Sequence, residues 1–597
     1  MRSSLSLFLK VPLSVLSLMA AGLLAPGCHR AARPDVGQDR TVESGVPVEF
    51  GSPQEGAPEV TWNFGDGTPT QKAARVSHAF PRAGTFTVQA LEGASEVGRA
   101  QITVVPRPVL RAIPGDATVA FYVPQLRGSV EPMVEFYERL VGPDIARRQM
   151  EEAPFLPMLL QSARGDASAV DPEEGFGLFS VPSFEGSVAV LGVTDGKAAL
   201  EAVAKDFESK GLTVQRREDG SVRVELRESE PITVFLDRGY MYLAMPEQET
   251  PQEGEPVKAA VTSSPDAEGL RRSVAGFTGP GLSEAALLTE LRGKVQEGNV
   301  YLFTSFPKKE QDDGFPGFFS SLKVREGRAE LDGFMASKRP LLSGKQGPVP
   351  ALLDKAPVGP VAAAMLSIPP DELATALLGA PGSPRRTESM ASWTQEGIDA
   401  EGLIGAVRGD VTLLVYFDAP AFYRNFLTNK RPEPRGAVLL EAGLTRAEPV
   451  VAALTKAFAA GAWNVETVKE KNVTKFRLRL MDQPMVVSVA PDRLSLQAGE
   501  ALDARPRENI GTALRERFSA SAFGPSHLSL MVDMGRLRAE LDAPEQVPGV
   551  PTGQLAAAKA FGGAFLDQLT PFDHAFVDLS PEEGGARLRG RIVIRTR

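Results

Sequence analysis

Four histidines are all that 597 residues offer as neutral-pH bases or imidazole ligands, and one of them, His29, directly follows the only cysteine, Cys28. The rest of the chain must work with His78, His527 and His574. No His-Glu-x-x-His pair, Gly-x-Ser-x-Gly elbow, Gly-Lys-Ser/Thr phosphate loop or cysteine ligand pair occurs, so metal, acyl-transfer and phosphoryl chemistry lack their usual residues. Asp573-His574 is the best acid–base pair, but it opens a strand whose counterpart earlier in the chain, near Gly317, has neither residue; a satisfied edge histidine is expected. Glu173-Glu174, Asp312-Asp313 and Glu582-Glu583 stand in Pro/Gly-rich or charged stretches, where carboxylates solvate loops. Glycosidase chemistry needs two carboxylates across a cleft, which adjacency does not supply. Arg164-Gly165-Asp166 is a tripeptide of a kind common by chance, and Arg408-Gly409-Asp410 is expected to turn into a strand over 411–417. No catalytic residue, metal or cofactor is assigned.

Composition bounds what remains. Acidic and basic residues interleave to a net charge of −10, which leaves no basic face for a phosphate backbone and excludes nucleic acid as a partner. An apolar share of 43% with 23% charged residues is that of folded soluble protein rather than a multi-span membrane protein. The length calls for about three to five compact units.

The N-terminus carries Arg2 and Lys10, then an apolar run from Val11 to Ala25, then Pro26-Gly27-Cys28. A run of about 15 residues is short of the roughly 20 that span a bilayer, and reads as a cleaved secretory signal. Its end resembles the lipobox of bacterial lipoproteins, with Ala25 where that family usually has leucine and with Pro26 intervening. The resemblance implies that residues 1–28 are the signal peptide and lipobox, and that Cys28 is acylated and anchors the chain to a membrane. Having no second cysteine, Cys28 has no disulfide partner within the chain. His29 stands where aspartate would direct retention in the inner membrane, which points to the outer membrane.

Between residues 35 and 106, Asp35-Val36-Gly37-Gln38-Asp39, Trp62-Asn63-Phe64-Gly65-Asp66-Gly67, Val76-Ser77-His78-Ala79-Phe80 and Gly84-Thr85-Phe86-Thr87-Val88 follow one another. Trp62 and Phe64, like Phe86 and Val88, share a face of an extended strand and are expected in a core. Gly65 and Gly67 suit a tight turn, with Asp66 bonding backbone N–H groups, and His78 beside a core aromatic is expected to be structural. In order and spacing these motifs resemble the polycystic kidney disease (PKD) domain, with Asn63 where the family usually has aspartate. The resemblance implies an immunoglobulin-like β-sandwich that acts as a spacer or contacts protein or glycan. Its structural motif falls on Trp62, Phe64, Gly65, Asp66, Gly67, His78, Phe80, Gly84 and Phe86.

The remainder resembles itself. Gly186 to Leu191, a helix over 195–210 and strands over 212–217, 222–226 and 232–236 recur as Gly436 to Leu440, a helix over 446–460 and strands over 463–468, 475–480 and 485–489. Three further landmarks keep this order: 116–122 with 359–365, 299–303 with 527–531, and the strand pair 318–323 and 328–334 with 575–579 and 586–592. Two homologous α+β domains are expected, 110–345 and 350–597, with mainly antiparallel sheets of which helices cover one face. Ala199, Val203 and Phe207 match Val450, Leu454 and Phe458 as helix stripes. Ile113-Pro114-Gly115-Asp116-Ala117 resembles the opening strand of domains in uncharacterised exported bacterial families, which implies no activity. The leading expectation is a non-enzymatic envelope lipoprotein that binds protein, glycan or an apolar ligand. The alternatives are a hydrolase acting on envelope polymers and a carrier of apolar ligands between membranes, with the groove between the two domains as the place for a ligand.

Overall fold

The computed structural model describes residues 35–595, except 45, 53–55, 81–83, 106, 153–155, 165–168, 227–230, 247–268, 270–273, 275–280, 307–313, 338–349, 396–398, 430–434, 462, 481–482, 500–501, 503, 519–522, 525 and 570. The signal peptide and Cys28, like Asp312-Asp313, lie outside the described residues. The chain divides into two compact units, one of which ends at Val104.

The first unit contains strands β1 (Arg40–Glu43), β2 (Pro47–Gly51), β3 (Val60–Asn63), β4 (Gln71–Ala73), β5 (Arg75–Ala79), β6 (Gly84–Glu92) and β7 (Ser95–Val105). They form one sheet in the order β1-β7-β6-β3-β4 and a second of β2 with β5. Alternate residues of β2, β5, β6 and β7 are buried, the period-two pattern of strands with one face on a core. That core is Phe50, Trp62, Phe64, Phe80, Val88 and Ile102.

In the second unit the first ten strands are β8 (Val119–Val123), β9 (Phe176–Val181), β10 (Phe184–Gly192), β11 (Thr213–Arg216), β12 (Val222–Glu225), β13 (Ile232–Asp237), β14 (Tyr240–Pro246), β15 (Val300–Ser305), β16 (Gly317–Arg325) and β17 (Arg328–Ala336). After the two-residue β18 (Ala356–Pro357) come β19 (Ala362–Ser367), β20 (Val407–Phe417), β21 (Gly436–Leu444), β22 (Glu466–Glu470), β23 (Val473–Leu480), β24 (Gln483–Ala490) and β25 (Arg493–Ala498). The two-residue β26 (Arg507–Glu508), which pairs with β18, precedes β27 (Leu528–Asp533), β28 (Phe572–Glu582) and β29 (Gly585–Ile594).

All but β18 and β26 join one antiparallel sheet of twenty strands. Its centre is the pairing of β17 with β29. Outward from β17 the neighbours run β16, β15, β8, β9, β10, β14, β13, β12, β11. Outward from β29 they run β28, β27, β19, β20, β21, β25, β24, β23, β22. The two series have the same order and the same chain connectivity. Each also carries a helix in the same place: Gly196–Ser209 between β10 and β11, and Glu448–Ala460 between β21 and β22. Asp195 caps the first by accepting from the Ala198 N–H at 3.0 Å, and Pro449 sits in the first turn of the second.

Three sequence expectations need correction. The strands of 110–345 and 350–597 do not form separate sheets, because the last strand of each series finds its free edge satisfied by the other. Helices do not cover one face alone. On one face, Val130, Leu159, Ala199, Val203 and Phe207 pack on Ala189, Leu191 and Leu243, and Leu403, Ala406, Val450 and Phe458 pack near Leu444 and Leu496. On the other, Leu282, Leu288 and Leu291 cover Tyr122, Phe179 and Phe303, while Leu352, Leu514 and Phe518 cover Met365, Tyr416 and Phe576. The second helix starts at Glu448 rather than Arg446, since Pro449 favours the first turn.

Candidate functional site

In the first unit the glycines of the turn after β3 adopt positive φ, 72° at Gly65 and 89° at Gly67, and Asp66 accepts from the Thr68 N–H at 3.0 Å. Its other carboxylate oxygen lies 2.7 Å from His78 Nε2. The His78 ring stacks on Phe64 at 3.7 Å and meets Phe80 edge-on. Burial raises the Asp66 pKa, but the hydrogen bonds from Thr68 and His78 outweigh it and hold the carboxyl below its ordinary range. The pair is buried beneath the strands and offers no open position to a substrate. Gly84 opens β6 with φ 152°, and the Phe86 ring lies over it.

Three motifs in the second unit depart from the loop or turn expected of them. Glu174 does not solvate a loop: it is buried, and burial pushes its carboxyl up to about 7. Arg408-Gly409-Asp410 lies inside β20, where the register shifts between Val407 and Val411 and the Gly409 φ is 99°. The tripeptide is therefore a bulge, and Arg408 donates through Nε and Nη2 to the two carboxylate oxygens of Asp410, each at 2.7 Å. Glu582 ends β28 and meets Arg587 at 3.4 Å. Asp573 does approach His574, at 2.8 Å, but Arg517 lies 3.8 Å from the same oxygen and Phe518 stands edge-on to the ring. Among the described residues no three His, Cys, Asp or Glu groups come together to hold a metal.

The centre of the large sheet is unusual in a different way. Residues paired directly across strands share a face. One row runs Leu331–Gly590–Val577–Leu530–Ala364–Leu413 across β17, β29, β28, β27, β19 and β20. The adjacent row on the same face runs Ala329–Ile592–Ala575–Val532–Ala362–Val415. Neither row contains a charged or hydrogen-bonding side chain. Yet Leu530 is 43% exposed, Val532 41%, Ile592 37% and Val577 36%. The opposite face of the same strands carries the row Thr412–Met365–Ser529–Asp578–Arg589–Asp332, in which Thr412, Ser529, Asp578 and Asp332 are buried. The next row on that inner face, Phe576–Met531–Ala363–Leu414, is buried and apolar, so both faces of the central strands carry apolar side chains and the polar row lies inside beside the core. The buried polar side is supported by an ion pair: Arg587 on β29 donates to Asp332 on β17 at 2.8 and 2.6 Å.

Leucine, valine and isoleucine clustered at this exposure form an apolar patch open to solvent. Sequence reasoning placed strands here but missed the face, because alternation reports which residues share a side and not which side is left open. The signal that was present is the absence of charge at every second position of 575–579 and 528–532.

Residues 31–100 match the PKD domain family. This segment is a PKD domain. Beyond it, no curated protein matches the chain. Among solved structures, TP0453 in its crystal form III is 9% identical, with 39% of this chain and 80% of that one covered and a TM-score of 0.24. TP0453 in crystal form I gives 11%, 38%, 78% and 0.23, a likeness too slight to define a shared fold. No helix among the described residues is long and apolar enough to cross a membrane.

Proposed function

We propose that the chain is an exported, non-enzymatic binding protein whose PKD domain is a spacer and whose large sheet holds an apolar ligand on the uncovered face at its centre. The observation that carries this reading is the pair of uncharged rows with Leu530, Val532, Val577 and Ile592 more than a third exposed. Every strand beneath the face is paired on both sides, so no backbone group is left to recognise a peptide or glycan. Covering the face with either would strand their polar groups without partners, at a cost of about 1–3 kcal/mol each. Hydrocarbon carries no such cost. PKD domains are typically extracellular or exported, which fits the signal-like N-terminus, and acylation of Cys28 would tether the chain to the outer membrane as a lipoprotein. We further infer that 110–345 and 350–597 arose by duplication, supported by the matching order of ten strands outward from the β17–β29 pairing.

The test is direct. Organic extraction of the purified chain followed by mass spectrometry is expected to release lipid, and a fluorescent acyl probe is expected to bind saturably. Leu530→Asp combined with Val577→Asp is expected to abolish both. Equal binding by the double variant would refute the assignment of the face.

A further inference from the structure

The two series of strands differ in what joins them at one end of the sheet. Between β9 and β10 the first series has only Pro182 and Ser183, whereas between β20 and β21 the second inserts the helix Ala419–Asn429. Between β27 and β28 lie two more helices, Met534–Asp542 and Thr552–Leu569. Both connections leave the sheet beside the row that holds Val415, Ala362 and Val532 on the open apolar face. The three helices pack on one another through Tyr423, Leu541 and Leu555, and the Tyr423 hydroxyl donates to the Leu541 carbonyl at 3.0 Å.

Four phenylalanines run from the face into this helical layer. Phe417 ends β20 two residues beyond Val415 and so shares its side of the sheet. Its ring meets Phe422 at 5.5 Å, Phe422 stacks on Phe426 at 6.1 Å, and Phe426 stacks on Phe561 at 5.6 Å. Phe561 closes the series 54% exposed. Around it on the same helix Ala557, Ala560 and Ala564 are exposed too, and Lys559 is drawn back, its ammonium donating to the Asp542 carbonyl at 2.6 Å. Among its described residues the helix therefore offers no charge to what lies beyond it. The neighbouring helix Ala419–Asn429 has no acidic residue, although the chain carries a net charge of −10, and its one charged side chain, Arg424, is exposed.

From this we infer that the helices Ala419–Asn429 and Thr552–Leu569 dock on an anionic lipid bilayer, with Phe561 entering the acyl boundary and Arg424 meeting the headgroups. A bilayer accepts an uncharged surface of alanine and phenylalanine without requiring hydrogen bonds, and it is a source of hydrocarbon for the face that Phe417 adjoins. In naming that source the inference rests on the apolar-ligand reading above; the contact itself stands on Phe561, its alanine surroundings and Arg424.

The experiment uses the full chain. Cys28→Ser removes the only cysteine, so Ala560→Cys can carry an environment-sensitive dye by itself, with Lys205→Cys, at a lysine 71% exposed on the helix Gly196–Ser209, as the control. With vesicles of phosphatidylcholine and phosphatidylglycerol, the dye at 560 is expected to shift to the blue and to be quenched by lipids brominated along their acyl chains, with no response at 205. Phe561→Asp is expected to abolish the shift, and Arg424→Glu to raise the lipid concentration at half-shift a fewfold. Both residues are exposed and neither is on the sheet, so both variants are expected to keep the acyl-probe binding of the unaltered chain. No shift at 560 alongside saturable acyl-probe binding overturns the docking and leaves the apolar-ligand reading standing. A shift that persists when acyl-probe binding is absent overturns that reading and leaves the docking. An equal response at 205, or with pure phosphatidylcholine, overturns the anionic bilayer as the partner. A shift that appears without vesicles, together with a dimer in sedimentation, assigns the helices to a second copy instead.

Discussion

Arg587→Ala tests whether the centre of the large sheet depends on a buried charge pair. Arg587 places two guanidinium nitrogens on Asp332, both side chains are little more than a tenth exposed, and the Gln296 N–H gives the same carboxylate a third bond at 2.8 Å. Removing the arginine leaves Asp332 with the Gln296 bond and with its cross-strand neighbour Arg589 in place of the bidentate partner. Breaking a buried pair from one side costs about 3–5 kcal/mol. The exposed pair Arg99–Glu96, with arginine 63% and glutamate 32% exposed, serves as a control, because solvent screens it and Arg99→Ala there should leave the urea midpoint nearly unchanged. Urea unfolding followed by circular dichroism measures the loss, and amide exchange on β17 and β29 locates it. The double variant Asp332→Ala with Arg587→Ala should lose less than the sum of the single changes by about 1–3 kcal/mol. A cost below 1 kcal/mol for Arg587→Ala would refute the reasoning, because Asp332 would then be satisfied without the bidentate pair. The register gives the pair a further meaning. When the hairpin glycines Gly327 and Gly584 are set on one another, Glu330 and Asp332 fall where the other series has Arg587 and Arg589, so the join sets opposite charges against each other, Glu330 on Arg591 and Asp332 on Arg589, where two identical strands would set like charges.

Glu174 predicts a pH dependence. Its pKa is raised by burial from the ordinary glutamate value to about 7, so the folded chain keeps a proton that the unfolded chain releases; stability should fall as pH rises from about 4.5 to 7 and then level off, by at most roughly 3 kcal/mol. Urea titrations at pH 5 and 8 should show that fall, and Glu174→Gln should flatten it; equal pH dependence in both proteins would count against a buried neutral carboxyl. Trp62→Ala should destabilise the PKD domain by about 3–5 kcal/mol, since the ring is fully buried and its Nε1 donates to the Ala73 carbonyl at 3.0 Å. A loss under 1 kcal/mol in calorimetry would contradict that. Cys28→Ser should abolish palmitate labelling and release the chain from the membrane fraction, and unchanged fractionation would remove the anchor.

Local chemistry was legible from the residues alone. Trp62, Phe64 and Phe80 occupy the core of the first unit and Gly65 and Gly67 its turn, because aromatic alternation and glycine at positive φ are properties of a few neighbouring residues. The stripe Ala199, Val203 and Phe207 is buried as its four-residue spacing implies, whereas in Glu448–Ala460 only Val450 is fully buried and Leu454 and Phe458 are partly covered. Strands β14 and β25 went unnoticed. β14 is an apolar run and β25 a short alternating one, and their place in the sheet comes from partners β10 and β21, far away in sequence. Nor does the alternation of β27 and β28 say which side meets water. That was decided by what packs on the other side, where Leu352, Leu514 and Phe518 cover Met531 and Phe576. With that side closed, period-two geometry leaves Leu530, Val532, Val577 and Ile592 no direction but outward. The sequence by itself determined the elements, the motif of the PKD domain and the poverty of catalytic groups. Only the tertiary structure determined the open apolar face, because sidedness depends on what packs against a strand and not on the strand's own residues.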